Sequence, residues 1–161
     1  MNTERQRPID QWFARYSDDH RNAVNQRIHM VAVPLILWSV IALLWCLPVI
    51  EGVSRPGLWA ALAMFLAWMF YYRASRAIGF GMLAILVAMA WLTRWLHDLY
   101  GTPGLLKIAL GVFVAAWIAQ FIGHGKLFEG RKPNFFTDLE YLLIGPAWLL
   151  AKLYRRLGLR W

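Results

Sequence analysis

The chain has 161 residues, of which 60% are hydrophobic and 16% charged, with a mean hydropathy of +0.44 and a formal net charge of +8. A soluble domain is about 45–50% apolar and about 25% charged, so this balance excludes an ordinary soluble enzyme and points to a single integral membrane domain over residues 1–161. The basic surplus does not read as a nucleic-acid surface, because it flanks apolar runs instead of lining a soluble face.

Residues 1–27 carry charge throughout and hold no apolar core, so no cleaved signal peptide is expected. Within them, residues 5–16 mix arginine with Trp12, Phe13 and Tyr16, the composition of a helix lying in a membrane interface. A bilayer crossing takes about 20 mostly apolar residues. Four runs are read as crossings: 28–47, 57–72, 77–96 and 104–123. The second is short, but Trp59 and the Tyr71-Tyr72 pair suit the interface at its ends. Arg94 lies near the end of the third, from where it can snorkel. The connections 48–56, 73–76 and 97–103 are punctuated by proline, glycine and short polar residues. The apolar stretch 141–151 is too short to cross, and its Gly145-Pro146 step predicts a kink. A crossing there would also carry Arg155, Arg156 and Arg160 to the wrong face, so the stretch reads as interfacial or re-entrant. The one cysteine, Cys46, sits inside an apolar run and reads as a small buried hydrophobe. The expected fold is all-α: a bundle of four transmembrane helices, an interfacial N-terminal helix and a C-terminal interfacial or re-entrant helix.

Charge orients this bundle. Fourteen of the 17 lysines and arginines precede the first run, occupy the second connection or follow the fourth run; Arg55, Arg94 and Lys107 fall on the other side. By the positive-inside rule both termini face the cytoplasm, and the same charge attracts anionic lipid. Short connections and the lack of a retrieval tail point to a bacterial inner membrane.

That topology sorts the four histidines. His20, His29 and His124 come to the cytoplasmic end, while His97 falls about 30 Å away if the third crossing is complete. Asn25 and His29 are four residues apart, as are Gln120 and His124, so each amide shares a helical face with its histidine. Asn25 and Gln120 are thus candidates to orient the imidazoles. His20 and His29 are nine residues apart and would point oppositely on one helix, so the chain must bend between them; Asn22 and Asn25 favour such a bend. Imidazole is a versatile metal ligand, yet a single histidine at an interface needs only lipid or water as partner. Glu129 and Asp138 read as helix caps or solvated charges as readily as they read as members of a site. Hydrolase, phosphate-loop and dinucleotide motifs are absent from the sequence.

The pattern Tyr16-x3-His20-x4-Asn25-x2-Ile28-His29-x4-Pro34, joined to Trp117-x2-Gln120-Phe-Ile-Gly-His124-Gly and Phe128-Glu129-Gly-Arg131-x-Pro133, resembles the Mpo-type membrane proteins. Members of that family are iron(II)-dependent 2-hydroxy fatty acid dioxygenases known from phytosphingosine breakdown. The resemblance covers residues 16–39 and 117–146; the middle runs match in hydrophobicity only. It implies α-oxidation, in which a 2-hydroxy acid and dioxygen give an acid one carbon shorter and carbon dioxide. It also implies His20, His29 and His124 as iron ligands. Two departures stand out. Lys152 occupies a position where an acidic residue is expected, and one extra residue separates His124 from Glu129. A 2-hydroxy acid can chelate iron through carboxylate and hydroxyl, beside three imidazoles and one position for dioxygen, a variant of the usual facial triad. Glu129 joins Asn25 and Gln120 as an outer partner, and Arg27, Arg131 or Lys132 could hold the substrate carboxylate. Two other readings stay open: a haem protein, and a non-catalytic protein that binds membrane lipid.

Overall fold

The computed structural model describes residues 7–49, 52, 55–124 and 135–161, with the backbone alone for 124 and 135–140. All regular structure among them is helical: α1 Pro8–Asp19, α2 Ala23–Trp45, α3 Leu58–Ala74, α4 Arg76–His124 and α5 Phe135–Arg156. The expected apolar runs lie in α2, α3 and α4, but helix ends follow capping rather than hydropathy. α2 begins five residues before its apolar run because the Asn22 side chain accepts the N–H of Val24 at 2.8 Å and of Asn25 at 3.3 Å, a cap that stabilises a helix start by about 1 kcal/mol.

α4 contains 49 residues, and one of them, Gly101, has φ 66° and ψ 179°. That region is open to glycine alone. Leu96 before it and Leu105 after it both pack around Trp38 and Ala42 of α2, so the chain doubles back at this one residue. Pro103 sits in the first turn of the returning half, where its missing N–H costs nothing. A single glycine does what the sequence suggested would take the turn 97–103. Further along, Ala116 meets Ala32 and Ile36, and Gly123 lies against Asn25. The returning half therefore runs antiparallel to α2.

α3 also returns along α2. The Trp59 indole at its start donates to the Pro48 carbonyl at 3.0 Å, and the Tyr71 hydroxyl at its end donates to the Leu143 carbonyl of α5 at 2.8 Å. Two helices, α2 and α4, are long and apolar enough to cross a membrane, and α3 is a shorter apolar helix. Half of α2's apolar stretch (50%) is buried within the molecule, against 17% for α4. α2 is thus the central helix, while α4 turns Val87, Trp91, Val114 and Ile118 outward.

α1 and α5 close the end at which α2 begins. α1 buries Ile9, Phe13 and Tyr16 on one stripe. α5 is longer than the apolar stretch 141–151 and continues through Pro146. It reaches from Tyr16 and Val33, which touch the place of a Gly145 Cβ, to Ala77, whose carbonyl accepts from Tyr154 at 3.3 Å. Its Trp148 is 1% exposed, donates to Ser17 Oγ at 2.8 Å and packs 4.9 Å from the Tyr16 ring.

Candidate functional site

His20 continues the buried stripe of α1 (Ile9, Phe13, Tyr16) one turn further, as the residue that ends the helix. Its backbone N–H donates to the Ser17 carbonyl at 3.2 Å. The chain then bends at 20–22 and restarts at the Asn22 cap, and α2 carries Asn25, His29, Ala32 and Ile36 on its buried face. The bend that the nine-residue spacing required is therefore present. It brings His20 Nε2 to 3.2 Å from His29 Nε2, with both residues buried.

Each ring is held the same way. His20 Nδ1 lies 2.7 Å from the Tyr16 carbonyl, and His29 Nδ1 lies 3.0 Å from the Asn25 carbonyl. A carbonyl oxygen only accepts, so each Nδ1 is the donor, and in the neutral ring each Nε2 presents a lone pair. Two lone pairs 3.2 Å apart repel unless a cation, either a proton or a metal ion, compensates them. Metal-bound histidines have their other nitrogen bonded to a carbonyl or carboxylate in this manner. A metal ion bonded to imidazole at about 2.1 Å, with neighbouring ligands near a right angle, separates their nitrogens by about 3 Å. The pair fits a metal as two neighbouring ligands.

Around the pair lies a cavity of about 20 Å³, lined on α1 and α2 by Tyr16, Val33 and Ile36 and on α4 and α5 by Trp117, Gln120, Tyr141 and Leu142. That volume suits one water-sized guest or an ion. Tyr16 stacks on His20 with ring centroids 4.0 Å apart and planes 10° from parallel, which fixes the imidazole plane. Tyr141 donates its hydroxyl to the Asp19 carboxylate, tying α5 to the end of α1. Gly145 lets α5 approach closely, since a Cβ there would stand 3.0 Å from the Tyr16 hydroxyl and 3.3 Å from Val33. A second tie runs from Lys152 Nζ to Gln26 Oε1 at 2.8 Å, and from Gln26 Nε2 to the His20 carbonyl at 2.7 Å.

The residues singled out by sequence divide clearly. His20, His29 and Gln120 line one cavity. Asn25 holds His29 Nδ1 through its backbone carbonyl, and its side chain lies against Gly123. Gly123 leaves no room for a side chain, so the end of α4, and the His124 backbone with it, comes beside the start of α2. The His124 side chain lies outside the described residues, as do Glu129, Arg131, Lys132 and the Asp138 side chain. Among the described residues, no group of three His, Cys, Asp or Glu side chains converges. Arg27 is exposed and does not line the cavity. His97 is at the opposite end, its Nε2 3.1 Å from Thr102 Oγ1 across the Gly101 reversal. Sequence reading missed Tyr141 and Trp148, and took Tyr16 as an interfacial aromatic and as part of a pattern, not as a packing partner of His20. The i, i+4, i+7, i+11 stripe of Ile9, Phe13, Tyr16 and His20 was the available signal for the last.

The chain matches a family model described as 2-hydroxy-palmitic acid dioxygenase Mpo1-like over residues 6–157. It is 28% identical over 144 residues to 2-hydroxy-palmitic acid dioxygenase MPO1 of Saccharomyces cerevisiae, an alignment covering 89% of this chain and 78% of that protein. No solved structure matches it.

Proposed function

This chain belongs to the Mpo1-like family, and from that premise we propose that it is an iron(II)-dependent dioxygenase of long-chain 2-hydroxy fatty acids. The reaction converts the 2-hydroxy acid and dioxygen to the acid one carbon shorter, carbon dioxide and water. It balances without a further reductant, because the cleavage supplies the four electrons that dioxygen takes up. The observation that carries the reading is the pair of Nε2 atoms 3.2 Å apart, each ring anchored through Nδ1 to a backbone carbonyl. His20, His29 and His124 would hold the metal. Iron(II) there would supply the redox chemistry that brings dioxygen and the chelating 2-hydroxy acid together.

The chain's own residues prepare that site. Tyr16 and the two carbonyls fix the imidazole planes, so little orientational freedom is lost on binding. Gln120, on the cavity wall, offers an amide to the polar head, and Arg131, Lys132 or Arg27 could draw in its carboxylate. Glu129 would act as an outer partner. The acyl chain would leave the cavity past Trp117 and Leu142, which belong to the apolar cluster around Ile36 and Ala116.

The same reading makes the four antiparallel segments (α2, α3 and the two halves of α4) four crossings of a bacterial inner membrane. Both termini would be cytoplasmic, with α1 and α5 at that interface and membrane lipid around the outward apolar faces. A straight helix of α4's 49 residues would be about 73 Å long, against a hydrocarbon core of about 30 Å. Halves of about 24 residues suit it.

Detergent-purified protein tests the reaction. Under air it should convert 2-hydroxypalmitate to pentadecanoate, and the conversion should stop without oxygen or with an iron chelator. Iron(II) should restore it and zinc should not, since zinc has no redox chemistry. Palmitate, which lacks one arm of the chelate, should be a poor substrate. Protein that is iron-loaded yet leaves 2-hydroxypalmitate untouched under air overturns the reading.

A further inference from the structure

A second concavity lies on the other side of the α2–α5 contact from the histidines. It is a groove of about 320 Å³ walled by Pro34 and Leu37 of α2, Ile85 and Met89 of α4, and Leu149 and Leu153 of α5. Its charged lining residues are Lys152 and Arg156, both at the basic end of the bundle. The grooves between α3 and α4 and between α2 and the returning half of α4 have similar volumes, about 350 and 310 Å³, and no charged residue lines either. Lipid tails of any kind can cover those two. This one pairs an apolar trough with cations at a single end.

The cations are crowded. Lys152 is half-buried, and burial, Arg155 and Arg156 together hold its ammonium below the usual lysine range. One N–H of that ammonium is committed to Gln26, and the ammonium stands 3.9 Å over the Trp148 ring. A lysine has three N–H donors, so a further acceptor fits. An anionic head beside Lys152 and Arg156 would relieve like-charge repulsion and gain charge-assisted hydrogen bonds.

We propose that this groove binds one long-chain carboxylate, with its acyl chain between α2, α4 and α5 and its head on Lys152 and Arg156. The volume is at the small end for ligand sites, which suits one chain rather than the two of a phospholipid. The choice of a carboxylate over a phosphate head rests on the acyl-acid reading above. The site is separate from the histidine cavity, because Gly145 packs onto Val33 between them. Lys152 reaches the His20 carbonyl through Gln26, so the groove and the histidine bend share one polar contact.

Binding of labelled palmitate to the detergent-solubilised full chain tests this, because palmitate has no 2-hydroxyl and needs no metal. Affinity should stay within about threefold in the His20→Ala/His29→Ala variant and fall at least tenfold in Lys152→Met/Arg156→Met. Hexadecanol, with no charge, should bind wild type at least tenfold more weakly than palmitate, and that difference should vanish in the double variant. Arg156 is exposed, so Arg156→Met alone keeps the fold and should still weaken palmitate binding threefold or more. Binding that ignores both cations overturns the proposal, as does binding lost with the histidines instead. Displacement of palmitate by an equal amount of phosphatidylglycerol would also overturn it, making the groove a phospholipid site. The dioxygenase reading can fail with 2-hydroxypalmitate while every arm of this test stands.

Discussion

The two ends of the bundle treat histidine in opposite ways. At the end where α2 begins, α1 and α5 cover the helix termini, and His20 and His29 are buried with their Nε2 atoms 3.2 Å apart. At the other end no extra helix among the described residues covers the reversal, and His97 shares a hydrogen bond with Thr102 and stands 3.8 Å from the exposed Asp98. Both ends join helices through a short bend, and both offer imidazole and hydroxyl groups. The difference is cover. Burial forces a ring nitrogen to find a protein partner or a cation, whereas a histidine that still touches its surroundings can cap a turn and need nothing more.

The largest expected effect separates these two roles. His20→Ala and His29→Ala should each lower turnover of 2-hydroxypalmitate by at least about 10–100-fold, since even outer-shell changes cost that much. Iron content measured on the purified variants should fall in parallel. His97→Ala should leave both within about a factor of three. A loss of iron in His97→Ala as large as in His29→Ala would erase the contrast between the ends.

Glycines sharpen the same contrast through stability. Gly145→Val adds bulk where even a Cβ would stand 3.0 Å from Tyr16 and 3.3 Å from Val33, and overpacking of this kind costs about 1–3 kcal/mol. Gly101→Ala forces alanine into φ 66°, ψ 179°, which also costs about 1–3 kcal/mol. Both should lower the unfolding midpoint in detergent. Only Gly145→Val should shift iron affinity, because only it moves Tyr16 against His20; an equal loss of iron in Gly101→Ala would show that the ends are coupled.

Asn22→Ala acts more gently. Removing the cap should cost about 1 kcal/mol of stability, and it loosens the bend that sets the histidine pair. A modest fall in iron affinity should accompany the fall in midpoint. A variant with wild-type stability would mean that tertiary contacts, not the cap, fix where α2 starts.

Much of the site was legible because it obeys local periodicity. The Asn25–His29 spacing, the necessary bend before it and the placement of His97 at the far end all follow from 3.6 residues per turn and from run length. The helix termini were less legible, since hydropathy marks the apolar stretch and Asn22 marks the helix. The partners on α5 could not be read at all. Tyr141 meets Asp19 across 122 positions and Trp148 meets Ser17 across 131, and no periodicity carries information over such separations. Gly145 was read, with Pro146, as a kink, and its part in close packing against Tyr16 and Val33 was not foreseen. Gly101 was hidden within a longer turn signal, because glycine advertises a bend without saying that one residue is enough.

The smallest expected effect lies at the uncovered end. Arg94 and Asp98 form an i, i+4 pair at 3.8 Å with side chains 72% and 64% exposed. Exposed helical pairs of this kind contribute about 0.3–0.5 kcal/mol, and salt screens them. Asp98→Asn should therefore move the unfolding midpoint by no more than about 2 °C at low salt, and by less at high salt. His97 lies 3.8 Å from the same carboxylate, but its bond to Thr102 needs no charge, so losing the carboxylate should not release the reversal. Turnover and iron content should stay at the wild-type level. A larger loss of stability that persists at high salt would mean that Asp98 is a structural partner of the Gly101 turn, and that this end depends on polar contacts as the histidine end does.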